Sequence, residues 1–224
     1  IWENWLPPCP EPAGCLASDL TSQEPLASPL SPESSFALFG EATKNGSLFH
    51  SLRFPPEISS HDLLLILYEP KVGNAFLSLS RPGMVGVTIG LNEEKVSLAE
   101  LAFSSLDSSP EGTPLSFLLR QAVQYAGDIP QAVSIIVSAP RMNGANVVVG
   151  DGKVADAQAL ELSAHLYALF EAQDDYVVRS NHSLDATLAR LEVAEGREVE
   201  ESEERRSIWE EAIRWRYGLF DLDK

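Results

Sequence analysis

Hydrophobic and polar positions along the chain change period twice. From Ser34 to Phe103 the apolar residues fall in short runs of β type, punctuated by glycine, proline and asparagine. Ser34–Phe39 is short, apolar and aromatic, and Gly40 breaks it. Asn45-Gly46 is a hairpin dipeptide, and Ser47–Phe54 resumes the strand. Asp62–Glu69, DLLLILYE, is a continuous apolar run and predicts a strand buried on both faces. Ala75–Ser80, Gly83–Gly90 and Val96–Phe103 predict three more strands. The glycines of Gly83–Gly90 imply that another segment passes close by.

The period then lengthens to three and four. Leu115, Leu118, Leu119, Ala122 and Val123 form one apolar stripe behind Thr113-Pro114, an N-cap followed by proline at the first helical position. Gly127 ends this helix. Asp128 opens a second, with Gln131 as the far member of a capping box, and Pro140 closes it. Short strands return at Ala145–Gly150, Ala157–Ser163, Tyr167–Glu171 and Tyr176–Ser180, the first two joined by an Asp151-Gly152 turn. After Leu191 the chain becomes highly charged. Ile208, Trp209, Ala212, Ile213, Leu219 and Phe220 then predict an amphipathic helix over Glu203–Tyr217 that packs on its own domain. Strands, two helices, strands and a helix call for helix layers over two sheets, an α+β sandwich of αββα type.

Composition adds limits. Residues 1–33 hold seven prolines and predict a linker or a propeptide-like segment, with the domain proper at 34–191 and the charged segment and helix at 192–224. A formal net charge of −17 argues against nucleic acid and anionic membrane surfaces as partners, because both need a cationic face. No apolar run reaches the roughly 18–20 residues that span a bilayer. Cys9 and Cys15 match no metal spacing, and His50, His61, His165 and His182 are dispersed, so neither a metal nor a cofactor is implied. Compartment and oligomeric state stay open.

Seven segments, in order, resemble the penicillin (isopenicillin N) acyltransferase family of N-terminal nucleophile (Ntn) hydrolases, a group that also includes the choloylglycine hydrolases. They are SSFALFGEATKNGSLFH, LLLILYEP, RPGMVGVTIGLNEE, EGTPLSFLLRQAV, NGANVVVGDG, ALELS and RSNHSLD. The resemblance spans about Ser34 to Leu191. It implies an Ntn fold, and an acyltransferase or linear-amide hydrolase acting on a small-molecule amide. In that chemistry a cysteine exposed by autoproteolysis attacks the amide carbonyl. Its own α-amine, with a pKa near ~8, takes the proton, and asparagines stabilise the oxyanion. The family also continues with further strands beyond its Thr-Asn-His segment.

Carried over residue by residue, an ungapped match puts Glu33 at the cysteine position, and a one-residue shift puts Ser34 there. Cys15, preceded by Gly14, serves only if Leu16–Glu33 is an insertion. The activating acid should fall near Arg53–Pro56, where this chain has none before Glu57. Arg53 is instead a candidate for binding a substrate carboxylate. Asn181 matches the oxyanion asparagine and His182 follows it. Asn146 and Asn143 are further candidates for the site, and Asn92 sits in a turn where the family also has asparagine. Two functions therefore remain: a divergent acyltransferase or C–N hydrolase with Ser34 or Cys15 and Asn181 as catalytic groups, or an inactive family member that binds or scaffolds.

Overall fold

The computed structural model describes residues 33–53, 63–194 and 196–221. The linker or propeptide expectation for residues 1–32, Cys15, and the expected acid position after Arg53 all lie outside them.

Ten strands make two antiparallel sheets. β1 (Ser34–Gly40) is the centre of a three-stranded sheet, between β2 (Gly46–Arg53) and β10 (Tyr176–Ser180). The other seven run as a meander in chain order: β3 (Leu64–Tyr68), β4 (Phe76–Ser80), β5 (Ile89–Asn92), β6 (Val96–Phe103), β7 (Gly144–Asp151), β8 (Asp156–Leu162) and β9 (Tyr167–Glu171). Between β6 and β7 the chain forms α1 (Leu115–Tyr125) and α2 (Ile129–Ile136). A one-turn helix, α3 (Ala186–Ala189), and a long one, α4 (Arg197–Trp215), follow β10.

The apolar clusters define four layers. Leu118, Leu119, Val123, Ala132 and Ile136 of α1 and α2 pack on Leu98, Val147, Val149, Leu160 and Leu162 of the large sheet. The opposite face of that sheet, through Val148, Ala157 and Ala159, meets Ala37 and Phe39 of β1. Leu38 and Val178, on the outer side of the small sheet, meet Ile213 of α4, and Phe36 and Trp209 lie against each other at 4.9 Å between ring centroids. The order is helices, large sheet, small sheet, helix: the αββα sandwich that the sequence predicts.

Local signals explain several boundaries. Asp128 caps α2 by accepting from the Gln131 backbone at 2.8 Å, and the Gln131 side chain donates back to the Asp128 carboxylate at 2.8 Å. Gly40 turns the chain at φ +52°, against Asp175, where a Cβ would lie 2.5 Å from a carboxylate oxygen. Gly86 is approached by Ser116 so closely that a Cβ would sit 2.4 Å from its hydroxyl.

Four expectations need correction. The apolar run over β3 is not buried on both faces. β3 is the edge of the large sheet, and Leu64, Leu65 and Leu67 are 45%, 69% and 59% exposed. Only the end of Gly83–Gly90 is strand, because β5 starts at Ile89. Thr113 does not cap α1; Pro114 holds the N-cap position without a side-chain hydrogen bond. The last helix begins at Arg197, six residues before Glu203, with Glu198 and Glu200 at its positive N-terminal end.

Candidate functional site

Because β5 starts late, β6 loses its neighbour on one side. The last β5–β6 pair is Ile89 with Ala99, whereas β6 stays paired to β7 as far as Phe103. A strand edge left open inside a protein must have its amides satisfied some other way. Here Glu33, just before β1, and Asn181, just after β10, do it. The Asn181 side-chain amide donates to the Ala102 carbonyl at 2.9 Å. The Asn181 carbonyl oxygen accepts from the Glu33 backbone at 2.9 Å and from Arg205 of α4 at 3.2 Å. The Ala102 backbone amide in turn reaches the Glu33 carboxylate.

Beside this junction lies a cavity of about 230 Å³. Glu33 and Glu100 line it, with Arg81, Ser80 and the apolar side chains of Leu52, Leu63, Leu79 and Met84. Loss of water pushes the Glu33 carboxyl up from 4.5 to about 7, against the pull of Ala102, Asn181 and Arg81. Burial, with the Glu33 charge added, pushes Glu100 up to about 8. One oxygen of Glu100 and the Ser80 hydroxyl are buried with no hydrogen-bond partner among the described residues. The pair holds protons near neutral pH, and at higher pH it is two anions facing one space.

Strand alternation decides which residue of the β1 start faces this space. Ala37 and Phe39 point between the sheets, and Leu38 points to α4. Ser35 is on the inter-sheet side: its hydroxyl lies 3.3 Å from His50 Nε2, and His50 Nδ1 lies 2.8 Å from the Ser97 hydroxyl of β6. Glu33 shares that side and lines the cavity. Ser34 belongs to the opposite face, where its hydroxyl is buried without a hydrogen-bond partner among the described residues. A one-residue slip in a strand exchanges faces: Glu33 lies on the cavity side and Ser34 on the other.

The other site candidates are structural in their contacts. Asn146 is fully buried in β7 and donates to the carbonyls of Ser180 and His182, at 2.7 and 2.8 Å, tying β10 to the large sheet. His182 lies beneath α4, its Nδ1 2.8 Å from the Ser202 hydroxyl and 3.2 Å from that of Ser180. Burial, reinforced by Arg206, Arg179 and Arg205, lowers its pKa to about 4, so it stays neutral. Neither residue lines the cavity. Arg53 ends β2, exposed and opposite Ser34. Asn143 caps a turn by accepting from Ser105 and Gly144, and Asn92 binds the Val123 and Ala126 carbonyls at the end of α1. Of the candidates, Asn181 and the Glu33 position come together; Ser34, Arg53, Asn146 and His182 do not join them at the cavity.

Glu100 escaped the sequence reading. Its signal was a lone acid in the otherwise apolar strand VSLAELAF. A buried ion pair also escaped it: Glu161 of β8 and Arg179 of β10, 3.1 Å apart.

A family model for acyl-coenzyme A:6-aminopenicillanic acid acyl-transferase matches residues 42–213, well over half of the chain. The chain belongs to that family. It is similar to an uncharacterized protein of Archaeoglobus fulgidus, 30% identical over 172 residues that cover 66% of this chain and 29% of that protein. It also resembles Protein dcd1A of Dictyostelium discoideum, 28% identical over 106 residues, 46% of this chain and 24% of that protein. The chain thus spans less than a third of these curated relatives. Among solved structures, the Caenorhabditis elegans ortholog of N-acylethanolamine-hydrolyzing acid amidase superposes with a TM-score of 0.50 at 11% identity, covering 67% of this chain and 70% of that one. A mutant of conjugated bile acid hydrolase from Clostridium perfringens gives 0.52 at 16% identity, covering 70% and 56%. These likenesses show the fold of the Ntn hydrolases. No helix among the described residues is long and apolar enough to cross a membrane.

Proposed function

We propose that this chain is a family member that binds a small acyl or amine compound in the Ntn cavity without cleaving it by nucleophilic attack. The observation that carries this reading is Glu33. In the ungapped match to the family, a carboxyl falls where the family chemistry needs a thiol, and that carboxyl lines the cavity. The chemistry needs the attacking atom to be basic, close to the carbonyl and next to a proton acceptor. A carboxyl that burial raises to about 7 keeps its proton in a good share of molecules near neutral pH and is a poor nucleophile, and Ser34 lies on the face of β1 opposite Glu33. Asn181 is engaged as well, since it holds the Ala102 carbonyl and the Glu33 backbone amide. The hydrolase reading, in which the chain cleaves or transfers an acyl group with Ser34 or Cys15 as nucleophile, rests on the family membership alone.

The test is turnover. The purified full chain is incubated with a panel of N-acyl amides, including N-acylethanolamines and acylated amino acids, and release of the free amine is followed. No release above that of a heat-denatured control is expected. Release that disappears in Cys15→Ala or Ser34→Ala protein would restore the hydrolase.

A further inference from the structure

We propose that the Glu33–Glu100 cavity is a binding site for a small primary alkylammonium ion. The inference rests on the reading of this cavity as a non-hydrolytic binding site, and it names the ligand class.

Two carboxyls line one small space. Paired acids alone are not a site, since they can share a proton and remain inert. Ser80 supplies the independent observation. It is 3% exposed at the end of β4, it lines the same cavity, and its hydroxyl has no hydrogen-bond partner among the described residues. A buried hydroxyl left unpaired is costly, and such groups normally have a protein or bound partner. One oxygen of Glu100 is unpaired in the same way. An –NH3+ group has three donors and no acceptor. It matches an acceptor set drawn from three residues that line one cavity: the carboxyls of Glu33 and Glu100 and the hydroxyl oxygen of Ser80.

The remaining wall selects the rest of the ligand. Leu52, Leu63, Leu79 and Met84 offer apolar contact to a short alkyl chain. Arg81 is exposed and attracts Glu33. It therefore offsets part of the charge of one carboxylate and leaves the other for the ligand. Arg205 reaches the region only through Asn181. With both acids ionised and Arg81 screened by solvent, the cavity keeps a net negative charge. A neutral amine or an anion gains nothing from that arrangement, whereas an ammonium ion relieves the repulsion between the two acids. Binding drives the carboxyl protons to solvent, so uptake of the cation is coupled to proton release.

The probe is n-butylammonium chloride, titrated calorimetrically into the full chain at neutral pH in two buffers of different ionisation enthalpy. Saturable binding with net proton release is expected. Affinity should fall roughly tenfold or more in Glu100→Gln and by a smaller factor in Ser80→Ala, with both variants keeping the circular dichroism of the parent. Tetramethylammonium, which has the charge and no N–H donor, should bind at least about tenfold more weakly. Absence of butylammonium binding, equal affinity for the two cations, or binding unchanged in both variants overturns the site. Binding of calcium in place of butylammonium overturns it as well. The amide-release assay separates the two ideas. Ammonium binding together with turnover retains the site and refutes the non-hydrolytic reading, and neither binding nor turnover refutes the site alone.

Discussion

The Asn181 side-chain amide donates to the carbonyl of Ala102 at 2.9 Å, across a separation of 79 residues in sequence. With the Glu33 backbone amide on its other end, Asn181 closes the strand edge that β5 leaves open and fixes where β1 begins. Asn181, which sequence resemblance matches to an oxyanion asparagine, thus has a structural task in this chain, and that task can be measured.

Replacing Asn181 by Ala leaves the Ala102 carbonyl and the Glu33 amide without their partner. Both bonds are half-buried, so each lost partner costs at the low end of the about 1–3 kcal/mol of a buried group. A loss of about 1–2 kcal/mol in urea denaturation is expected. Asn181→Asp keeps the acceptor for Glu33 and Arg205 and loses the donor to Ala102, so it should cost less than full truncation unless its new charge is repelled by Glu33. A change within about 0.5 kcal/mol for Asn181→Ala, the size of an ordinary surface substitution, would show that this contact does not hold the edge.

The chain should become less stable as pH rises from neutrality. Glu33 and Glu100 sit at about 7 and about 8 in the folded protein, against 4.5 when exposed. The folded state then keeps protons that the unfolded state has lost. The stability they contribute is complete below 4.5 and disappears as pH rises through 7 to 8. His50 and His182 act in the opposite sense, because burial lowers both from 6.5 to about 4. Their contribution is present above 6.5 and is lost as pH falls towards 4. Between 6.5 and 8 only the carboxyls change, so the melting temperature should decline across that window in the parent protein. It should decline much less in Glu100→Gln. A parent melting curve that stays flat from 6.5 to 8 would contradict the burial of the pair.

Local rules explain how much of this was legible in the sequence. The opening hairpin, the α2 cap at Asp128 and the helix layer each follow from residues close in the chain, so period and turn chemistry identify them. β3 was misjudged because an apolar run reports hydrophobicity and not position in a sheet, and the edge place of β3 depends on pairings made elsewhere. The early start of α4 was hidden by charge: Val199 is the one apolar residue between Arg197 and Arg206, and Ser202 is buried there against His182 and Ser180. The Glu33 position and Asn181 were reachable through the family resemblance. Glu100 was not, since its meaning lies in the gap beside β6, which no local pattern records.

Two glycines with similar backbones should respond differently to alanine. Gly40 and Gly46 have φ of +52° and +73°. Either substitution carries the left-handed strain of roughly 1–2 kcal/mol. A Cβ at Gly46 meets nothing within 4 Å, whereas at Gly40 it would lie 2.5 Å from Asp175, whose carboxylate accepts from the Glu41 backbone at 2.7 Å. Gly40→Ala should therefore cost clearly more than Gly46→Ala in chemical denaturation. Equal losses would mean that the Asp175 loop yields without resistance.

The Glu161–Arg179 pair makes the largest stability prediction. Both side chains are almost wholly buried between the sheets, 3.1 Å apart. Arg179 also lies over the Phe170 ring at 4.4 Å, and Glu161 accepts the backbone amides of Leu184 and Asp185 at 2.8 Å each. Burial pushes the Glu161 pKa up and the Arg179 pKa down, while each partner's charge opposes the shift. Removing one partner leaves a buried charge without compensation, a cost of about 3–5 kcal/mol. Glu161→Ala should lose that much, and more than Arg179→Met, because it also strands the two amides that lead into α3. The double variant Glu161→Met with Arg179→Met should recover part of the loss, since no charge remains buried, but not all of it, since those amides stay unpaired. Urea denaturation of the parent, Glu161→Met, Arg179→Met and the double variant forms a double-mutant cycle, and a coupling energy near zero would mean that the pair is held in place by its surroundings and contributes nothing as a pair.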